Sequence, residues 1–339
     1  MKTLSVLSGG LLTTVQDCGR HGLQAFGVPV SGAMDTYSLQ WANKLVGNDC
    51  SLAALEITMQ GPVLLANARL LVAVTGGRFA LSVNGKPAPQ WEAFTLAPGD
   101  RLDCGTAIRG ARAYLAVAGG IAVPPVMGSR ATFLRGQIGG LGGRALRAGD
   151  TLSVGECEDR SGLVGNFVPR ALLPALPQDL TRVRIMLGPQ DELFVPETLL
   201  QLEEGEYEVA AESDRMAYRL RGQPLARHIG GDTVSDGVAP GSIQVPPSGQ
   251  PIVMLADRQT TGGYPKIATV IGADLPLFGQ LKPGDRLQFS VVSLEQALSI
   301  LCEQAKKLAA PPCRAKSRRE LSVAILGEQF HVYASEVVP

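Results

Sequence analysis

The side chains best suited to chemistry cluster between two strand-like runs in the C-terminal half of the sequence. Residues 252–256 and 267–271 are apolar and have the composition of buried strands. The segment between them carries a carboxylate, an amide, two hydroxyls, adjacent glycines, a phenol and an ammonium group: Asp257, Gln259, Thr260, Thr261, Gly262, Gly263, Tyr264 and Lys266. A hairpin turn of about two to five residues does not require this density of donors and acceptors. Adjacent glycines let backbone N–H groups approach a ligand, so the segment predicts a binding loop, with a polar surface loop as the alternative.

A second group of polar side chains lies within residues 14–35. This run has four glycines and no regular periodicity, and its polar members are Gln16, Asp17, Arg20 and His21. A structureless run of this length is uncommon in a compact domain unless it forms a binding loop. His21 has the chemistry of a general acid or base, although a surface histidine is the simpler interpretation.

Two further candidates are Asp214 and Arg215, which follow a strand-like run at residues 207–211. As a surface ion pair they would contribute less than about 1 kcal/mol. The alternative is that both face the same cleft as the loop at residues 257–266.

The composition excludes several classes of protein. The 339 residues include 31 basic and 31 acidic side chains, so no net charge favours nucleic acid or an anionic membrane as the partner. The six cysteines are scattered without a Cys-x-x-Cys pair, which argues against a metal site or a disulfide framework. We see no signal peptide and no apolar run long enough to span a membrane, and we therefore expect a soluble, cytoplasmic protein.

Short strand-like runs separated by turns recur through both halves of the sequence. Asn84-Gly85 is a strong hairpin signal. A Gly-Asp pair stands just before a strand-like run at residues 98–102, 148–152 and 283–287, which suggests two related barrel-like domains.

Helical patterns are few. Asp35 is placed to cap a helix that stops at Gly47, and Asp191 to cap a short helix with leucines at 199, 200 and 202. An amphipathic helix is expected at residues 294–308 and a hairpin around Gly327-Glu328. Residues 161–179, with three prolines, are expected to form a linker.

The usual nucleophile motifs are missing. The sequence has no G-x-S-x-G, S-x-x-K, P-loop or H-E-x-x-H pattern, and it has only three histidines. The residues alone therefore predict a two-domain β protein with a polar cleft and no self-sufficient catalytic group. This favours a subunit that other polypeptides complete.

The sequence resembles that of a known family. The motifs that carry the resemblance are TTVQDCGRHG, GVPVSGAMD, ANKLVGND, YLAVAGGIAVPPVMGSRAT, GGLGGRAL, SDRMAYRL and QVPPSGQPIVMLADRQTTGGYPKIA. They are similar to those of the biotin-dependent carboxyltransferase family, whose members include the C subunit of 5-oxoprolinase, KipA-like proteins and allophanate hydrolase subunit 2. The resemblance covers about residues 4–289. Ala217 and Arg258 depart from it, because they stand where the family usually has glycine and a small residue.

The resemblance implies a mainly β fold of two cyclophilin-like β-barrel domains with a few short helices. We place the first domain at residues 1–165, the second at 166–293 and a helix-and-hairpin appendage at 294–339. It also implies two partner polypeptides, one KipI-like (the B component) and one LamB/YcsF-like (the A component). Together with this chain they would convert 5-oxo-L-proline to L-glutamate at the expense of ATP. The nucleotide site is not identified in this chain.

Two alternatives stay open. One is a carboxyltransferase component that moves a carboxyl group from carboxybiotin to urea or a related amide. This sequence lacks a Met-Lys-Met biotinylation site, so another polypeptide would carry the biotin. The other is a non-catalytic KipA-like regulator that binds a KipI-like kinase inhibitor.

Residues and resemblance together suggest roles at the site. Opening a lactam, or moving a carboxyl group to an amide nitrogen, builds negative charge on oxygen, which fixed donors stabilise. We expect such donors from residues 259–263, a positive charge from Lys266, a wall from Tyr264, and a base or an orienting carboxylate from Asp257. Substrate-binding residues are expected from both halves of the chain: Gln16, Asp17, Arg20, Asp35, Asp214 and Arg215.

Overall fold

A computed structural model of the protein describes residues 2–228, 234–325 and 328–337, and it describes side chains as far as Arg314. Short strands joined by tight turns dominate this structure, and the mainly β fold is confirmed. None of the helices in the described ranges has the length and apolar character needed to cross a bilayer.

The first half packs two antiparallel sheets face to face. One sheet has the order β11-β1-β4-β9-β6-β7 and the other β2-β3-β10-β5-β8. Their strands are β1 (Thr3–Ser8), β2 (Leu12–Gln16), β3 (Ala54–Thr58), β4 (Val63–Ala66), β5 (Leu70–Phe79), β6 (Ser82–Val83), β7 (Lys86–Pro87), β8 (Ala93–Leu96), β9 (Arg101–Asp103), β10 (Ala107–Val117) and β11 (Thr151–Ser153). Alternate residues of β5, such as Val72 and Val74, enter the core between the sheets, whereas Ala73 packs against helix α1 (Thr36–Leu45). Because the first half of β5 is buried on both faces, residues 70–74 form a continuous apolar run.

Helix α1 begins and ends as predicted. The Asp35 carboxylate accepts a hydrogen bond of 2.9 Å from the Ser38 backbone N–H, and Gly47 adopts φ +72° just after the helix. Asn84 and Gly85 join β6 to β7 with φ of +52° and +78°, as a type I′ hairpin turn requires.

The second half closes a seven-stranded barrel in the order β13-β20-β17-β18-β15-β14-β21. The elements of residues 166–291 are β12 (Asn166–Phe167), β13 (Leu180–Leu187), α2 (Pro196–Glu204), β14 (Glu206–Val209), β15 (Ala217–Arg221), β16 (Asp236–Gly237), β17 (Ser242–Gln244), β18 (Ile252–Met254), β19 (Thr261–Gly262), β20 (Lys266–Val270), α3 (Leu275–Phe278) and β21 (Arg286–Val291). Closure pairs each barrel strand on both sides, and the barrel core includes Met34 from the first half.

The repeated Gly-Asp motif forms the same turn each time. Gly99, Gly149 and Gly284 have φ of +89°, +90° and +87°, values that favour glycine. In each case an oxygen of the following aspartate accepts a hydrogen bond from the backbone N–H three residues earlier, at 2.7, 2.7 and 3.0 Å. The turn thus leads into β9, β11 and β21, in both halves of the chain.

Two predictions about connections need correction. Asp191 does not cap a helix: residues Asp191–Leu193 form a 3₁₀ turn, and α2 begins at Pro196, whose fixed φ suits the first helical position. The segment at 161–179 is not a plain linker, because it contains β12 and the 3₁₀ turns Ser161–Leu163 and Arg170–Leu172.

The C-terminal region begins with the predicted helix, α4 (Leu294–Ala309), and continues with β22 (Cys313–Ile325) and β23 (Glu328–Val337). The two strands pair as the expected hairpin, whose turn at Gly327 lies outside the described residues. Helix α4 contacts both halves: Lys44 Nζ donates to Leu308 O at 2.6 Å, and Gln304 Nε2 donates to Ala273 O at 3.0 Å.

Candidate functional site

The loop between β18 and β20 supplies one strand, β19, of a small two-stranded flap. The other strand is β16, which pairs antiparallel with β19, and Val238 N–H donates to Thr260 O at 3.0 Å. A Cβ added at Gly262 would lie 2.7 Å from Gln244 Nε2, so a side chain here would displace that amide. Thr261 and Tyr264 are exposed, and Gln259 is half-buried beside Gly262.

Polar side chains of the flap, of the barrel and of the turn after β13 meet around Lys266, and we call them the flap cluster: Gln190, Asp236, Gln244 and Lys266. Lys266 is only 4% exposed, and its Nζ lies 3.5 Å from the Asp236 carboxylate. Gln244 is paired with Lys266 across β17 and β20, and its Nε2 donates to Tyr264 O at 3.3 Å. Gln190 Oε1 accepts the Lys266 backbone N–H at 2.9 Å. A buried ammonium group beside amides can polarise an amide oxygen.

Sequence reasoning missed three members of the flap cluster. Gln244 opens the motif QVPPSGQ and Gln190 follows the turn Gly188-Pro189, so both stand beside recognisable sequence signals. Asp236 opens the pair Asp236-Gly237, a turn signal of the same kind.

Arg215, but not Asp214, reaches the start of the loop at residues 257–266 and pairs with Asp257. Arg215 Nε and Nη2 donate to the two oxygens of Asp257 at 3.0 and 3.1 Å. Its Nη2 also donates to Gly32 O at 2.6 Å, and its Nη1 to the Glu56 carboxylate. Asp257 thus anchors the start of the loop. Asp214 does not share this position: it is exposed and accepts hydrogen bonds from Met216 N at 2.8 Å and Ala217 N at 3.2 Å.

Glu56 is the centre of a buried network between the two halves. It is 1% exposed and accepts hydrogen bonds from Met34 N at 2.8 Å and Tyr114 Oη at 2.7 Å. Arg112 Nε lies 3.7 Å away, and Arg112 Nη1 donates to Tyr218 Oη at 2.7 Å on the barrel side. Two arginines therefore balance Glu56 and Asp257 across the interface.

Burial and neighbouring charges or donors shift the pKa values of the carboxylates in this network in opposite directions. Burial acts to raise the pKa of Glu56, but the charges of Arg215 and Arg112 outweigh it and hold that pKa below its usual value. Burial raises the pKa of Asp35, against its hydrogen bonds from Ser38 and Gln280. Gln280 Nε2 donates to Asp35 Oδ2 at 2.7 Å, so Asp35 caps α1 and also ties the two halves together.

The remaining predicted residues of the first half organise their own loops. Gln16 Nε2 donates to Thr132 O at 3.0 Å, and Arg20 Nη2 donates to Ala131 O at 2.8 Å. Asp17 Oδ1 accepts hydrogen bonds from Gly19 N at 2.8 Å and Ser129 Oγ at 2.7 Å. These side chains hold the loop of residues 17–34 against the loop that contains residues 129–132. They belong to neither the flap nor the flap cluster.

The two polar loops nevertheless meet at one hollow, which we call the interdomain cavity. Its volume is about 250 Å³. The first half contributes Cys18, His21, Val30, Ser31 and Met34. The second half contributes Pro240, Leu255, Ala256, Arg258 and Leu275. The lining is mainly apolar. His21 stands in it, whereas the residues for which a catalytic or substrate-binding role was expected lie outside it.

The thiol in the interdomain cavity is not an activated nucleophile. Burial, with a smaller effect of the Asp17 charge, raises the pKa of Cys18 to about 11, which keeps its thiol protonated at neutral pH. Among the residues whose placement is described, no group of three His, Cys, Asp or Glu side chains could hold a metal ion.

Comparison with known proteins gives consistent matches. The family model described as carboxyltransferase domain, subdomain A and B, matches residues 26–291. A protein of Escherichia coli (strain K12) named as the C subunit of 5-oxoprolinase is 40% identical over 311 residues, which cover 89% of this chain and 96% of that protein. The protein of the same name from Haemophilus influenzae is 36% identical over 288 residues, 85% of this chain and 90% of that one.

A solved structure also has the same fold. The crystal structure of the K. lactis urea amidolyase superposes with a TM-score of 0.85 and 34% identity. The match covers 90% of this chain and 20% of that much longer one.

Proposed function

This chain belongs to the carboxyltransferase family of subdomains A and B, and we propose that it is the C subunit of an ATP-dependent 5-oxoprolinase that converts 5-oxo-L-proline to L-glutamate. The observation that carries the proposal is the similarity to two bacterial proteins of that name over nearly their whole length. The chain would then act as one part of a cytoplasmic hydrolase assembly for a cyclic amide. Its partners would be a KipI-like polypeptide and a LamB/YcsF-like polypeptide.

The flap cluster is the part of this chain suited to that chemistry. When the lactam opens, water oxygen bonds to the ring carbonyl carbon, the C–N bond breaks, and the nitrogen leaves as an amine after taking up a proton. Negative charge builds on the carbonyl oxygen, next to which Lys266 Nζ and the amides of Gln244 and Gln259 would act as donors. Losing one such donor typically lowers the rate about 10²–10³-fold.

The contacts restrict the roles that were predicted for the other residues of the loop. Asp257 acts as an anchor rather than a general base, because both of its oxygens accept hydrogen bonds from Arg215. Thr260 and Thr261 hold the flap in place, and their hydroxyls stay candidates for substrate contact. ATP hydrolysis would drive the reaction in the assembly, and we assign the nucleotide to no residue of this chain.

A carboxyltransferase component acting on urea or a related amide is the second candidate. The structural similarity to a urea amidolyase favours it. The same donors would then polarise the acceptor amide, and biotin would arrive on another polypeptide.

Reconstitution with the KipI-like and LamB/YcsF-like partners tests the proposal. Glutamate formed from 5-oxoproline should require ATP and all three polypeptides. Lys266→Ala and Gln259→Ala should each lower the rate at least about tenfold, whereas Lys86→Ala, at an exposed lysine of β7, should leave it unchanged.

Three outcomes would count against these assignments. Full activity in both site variants would exclude the flap cluster. Transfer of carboxyl from carboxybiotin to urea, without glutamate formation, would support the second candidate. Tight binding of a KipI-like protein with neither activity would point to the regulator.

A further inference from the structure

The interdomain cavity contains a buried cation without a counter-ion among the described residues. Arg258 is 6% exposed, its Nε donates to Val238 O at 2.8 Å, and its Nη1 donates to Leu255 O at 3.2 Å. Among the described residues, no carboxylate lies within 4.0 Å of this guanidinium. Burial accordingly lowers the pKa of Arg258. An uncompensated buried charge is costly unless a ligand neutralises it.

Other buried arginines of the interface differ in this respect. Arg215 and Arg112 lie beside Glu56 and Asp257. At Arg20 the charges of Asp17 and Asp257 act against burial, which still lowers its pKa, and its buried Nη1 has no hydrogen-bond partner in the described part of the chain. Arg258 instead meets backbone carbonyls, and of the side chains that the structure describes, no acidic one lines the cavity at which it stands.

The opposite wall offers a second polar group. The Ser31 hydroxyl is buried and has no hydrogen-bond partner in the described part of the chain. Its backbone has φ +56°, a left-handed conformation that is unfavourable for a non-glycine residue. A 3.0 Å hydrogen bond from Ser31 N to Ala256 O, across the interface, holds it there. Strain of this kind persists where the surroundings impose a geometry.

We propose that the interdomain cavity binds a small monocarboxylic acid with a mainly apolar body, and that Arg258 and Ser31 bind its carboxylate. The volume of about 250 Å³ lies below the range of roughly 300–1,000 Å³ typical of sites for drug-sized ligands, so the ligand is small. Val30, Met34, Leu255 and Leu275 provide the apolar wall. Identifying this acid as 5-oxoproline rests on the proposed function, and it would be bound here apart from the flap cluster, whose residues do not line this cavity. Urea, which has no carboxylate, would gain nothing from Arg258.

Calorimetric titration of the full chain tests this inference with three probes: 5-oxo-L-proline, cyclopentanecarboxylate and the primary amide of 5-oxoproline. Both acids should bind the wild-type chain, and the amide should not. Arg258→Gln should weaken binding of both acids about 10–100-fold, because a hydrogen bond to a charged group contributes about 1.5–3 kcal/mol. Ser31→Ala should weaken it by a smaller factor. Arg182→Gln, at an exposed arginine of β13, is the matched control and should bind like the wild type.

Thermal unfolding checks that each variant is folded. If Arg258→Gln does not fold, Arg258→Lys takes its place in the test. The lysine keeps the positive charge but loses the planar guanidinium group, so this variant should bind both acids more weakly than the wild type. Equal affinity for acid and amide, unchanged affinity in the Arg258 variants, or no binding of either acid at a concentration of about 10 mM would overturn the inference. Arg258-dependent binding of cyclopentanecarboxylate without glutamate formation by the assembly would instead refute the proposed function alone.

Discussion

Replacing Glu56 by glutamine should strongly destabilise the protein. The change keeps the shape of the side chain and removes the negative charge that faces both Arg215 and Arg112. Among the described residues Arg215 would then keep only Asp257 as a counter-ion, and Arg112 would have no carboxylate within 4.0 Å, although both arginines are only 4% exposed to solvent.

The expected loss is about 3–5 kcal/mol, the range found when one partner of a buried ion pair is removed. The geometry supports this magnitude. At an effective dielectric constant of about 20, unit charges separated by the 3.7 Å between Arg112 Nε and Glu56 Oε1 attract each other by roughly 4 kcal/mol. In Glu56→Gln the desolvation cost of the two buried arginines would remain, without the attraction to the Glu56 carboxylate that offsets it.

Urea-induced unfolding, followed by circular dichroism, measures this loss. Glu212→Gln is the matched control, because it breaks an ion pair whose partners are 60% and 62% exposed, and it should cost less than about 1 kcal/mol. The pKa of Glu56 is lowered in the folded state, so its contribution is present above the unfolded pKa and is lost as pH falls through the folded value. The gap between wild type and Glu56→Gln should therefore narrow below about pH 4. Equal stability of the two proteins at pH 7 would refute the reasoning.

Three further predictions concern other parts of the chain. Gly262→Ala places a Cβ 2.7 Å from Gln244 Nε2, and we expect it to lower glutamate formation by the assembly roughly tenfold with little change in unfolding temperature, since the flexible amide moves aside. Thiol alkylation at pH 7.5, read by mass spectrometry, should label exposed Cys302 well before Cys18, and Cys18 labelling should rise with pH towards its pKa of about 11; rapid labelling of Cys18 at pH 7.5 would contradict this. Ser293→Ala removes the capping box of α4 and should cost about 1 kcal/mol, seen as faster hydrogen exchange in the first turn of that helix but not in its last.

Much of the fold could be predicted from local patterns. The Asp35 cap, the Asn84-Gly85 hairpin and the three Gly-Asp turns depend on neighbouring residues, and each is found where the sequence predicts it. Strand β18 ends at Met254, two residues before the apolar run does, because Leu255 N and Asp257 N donate to Met216 O and Arg215 O in the adjoining turn.

The site was less predictable, because its contacts join distant residues. Glu56 and Arg215 are 159 positions apart, and no local pattern pairs them. The one available signal was a charged residue within the apolar strand β3. The interdomain cavity is lined by residues such as Ser31 and Arg258, which stand next to the polar residues that the sequence singled out. The sequence therefore identified the two loops as binding loops, but not the residues that line the cavity. The predicted domain bounds at residues 165 and 293 stay predictions.

The Glu56 network also has a consequence for how this gene can evolve. A fission of the chain between Gly165 and Leu180 would place Glu56 and Arg112 in one product and Arg215 and Asp257 in the other. Each fragment would expose half of the Glu56 network, and the barrel core would lose Met34. Although the two halves share a recurring turn, they are therefore expected to be inherited as a single reading frame.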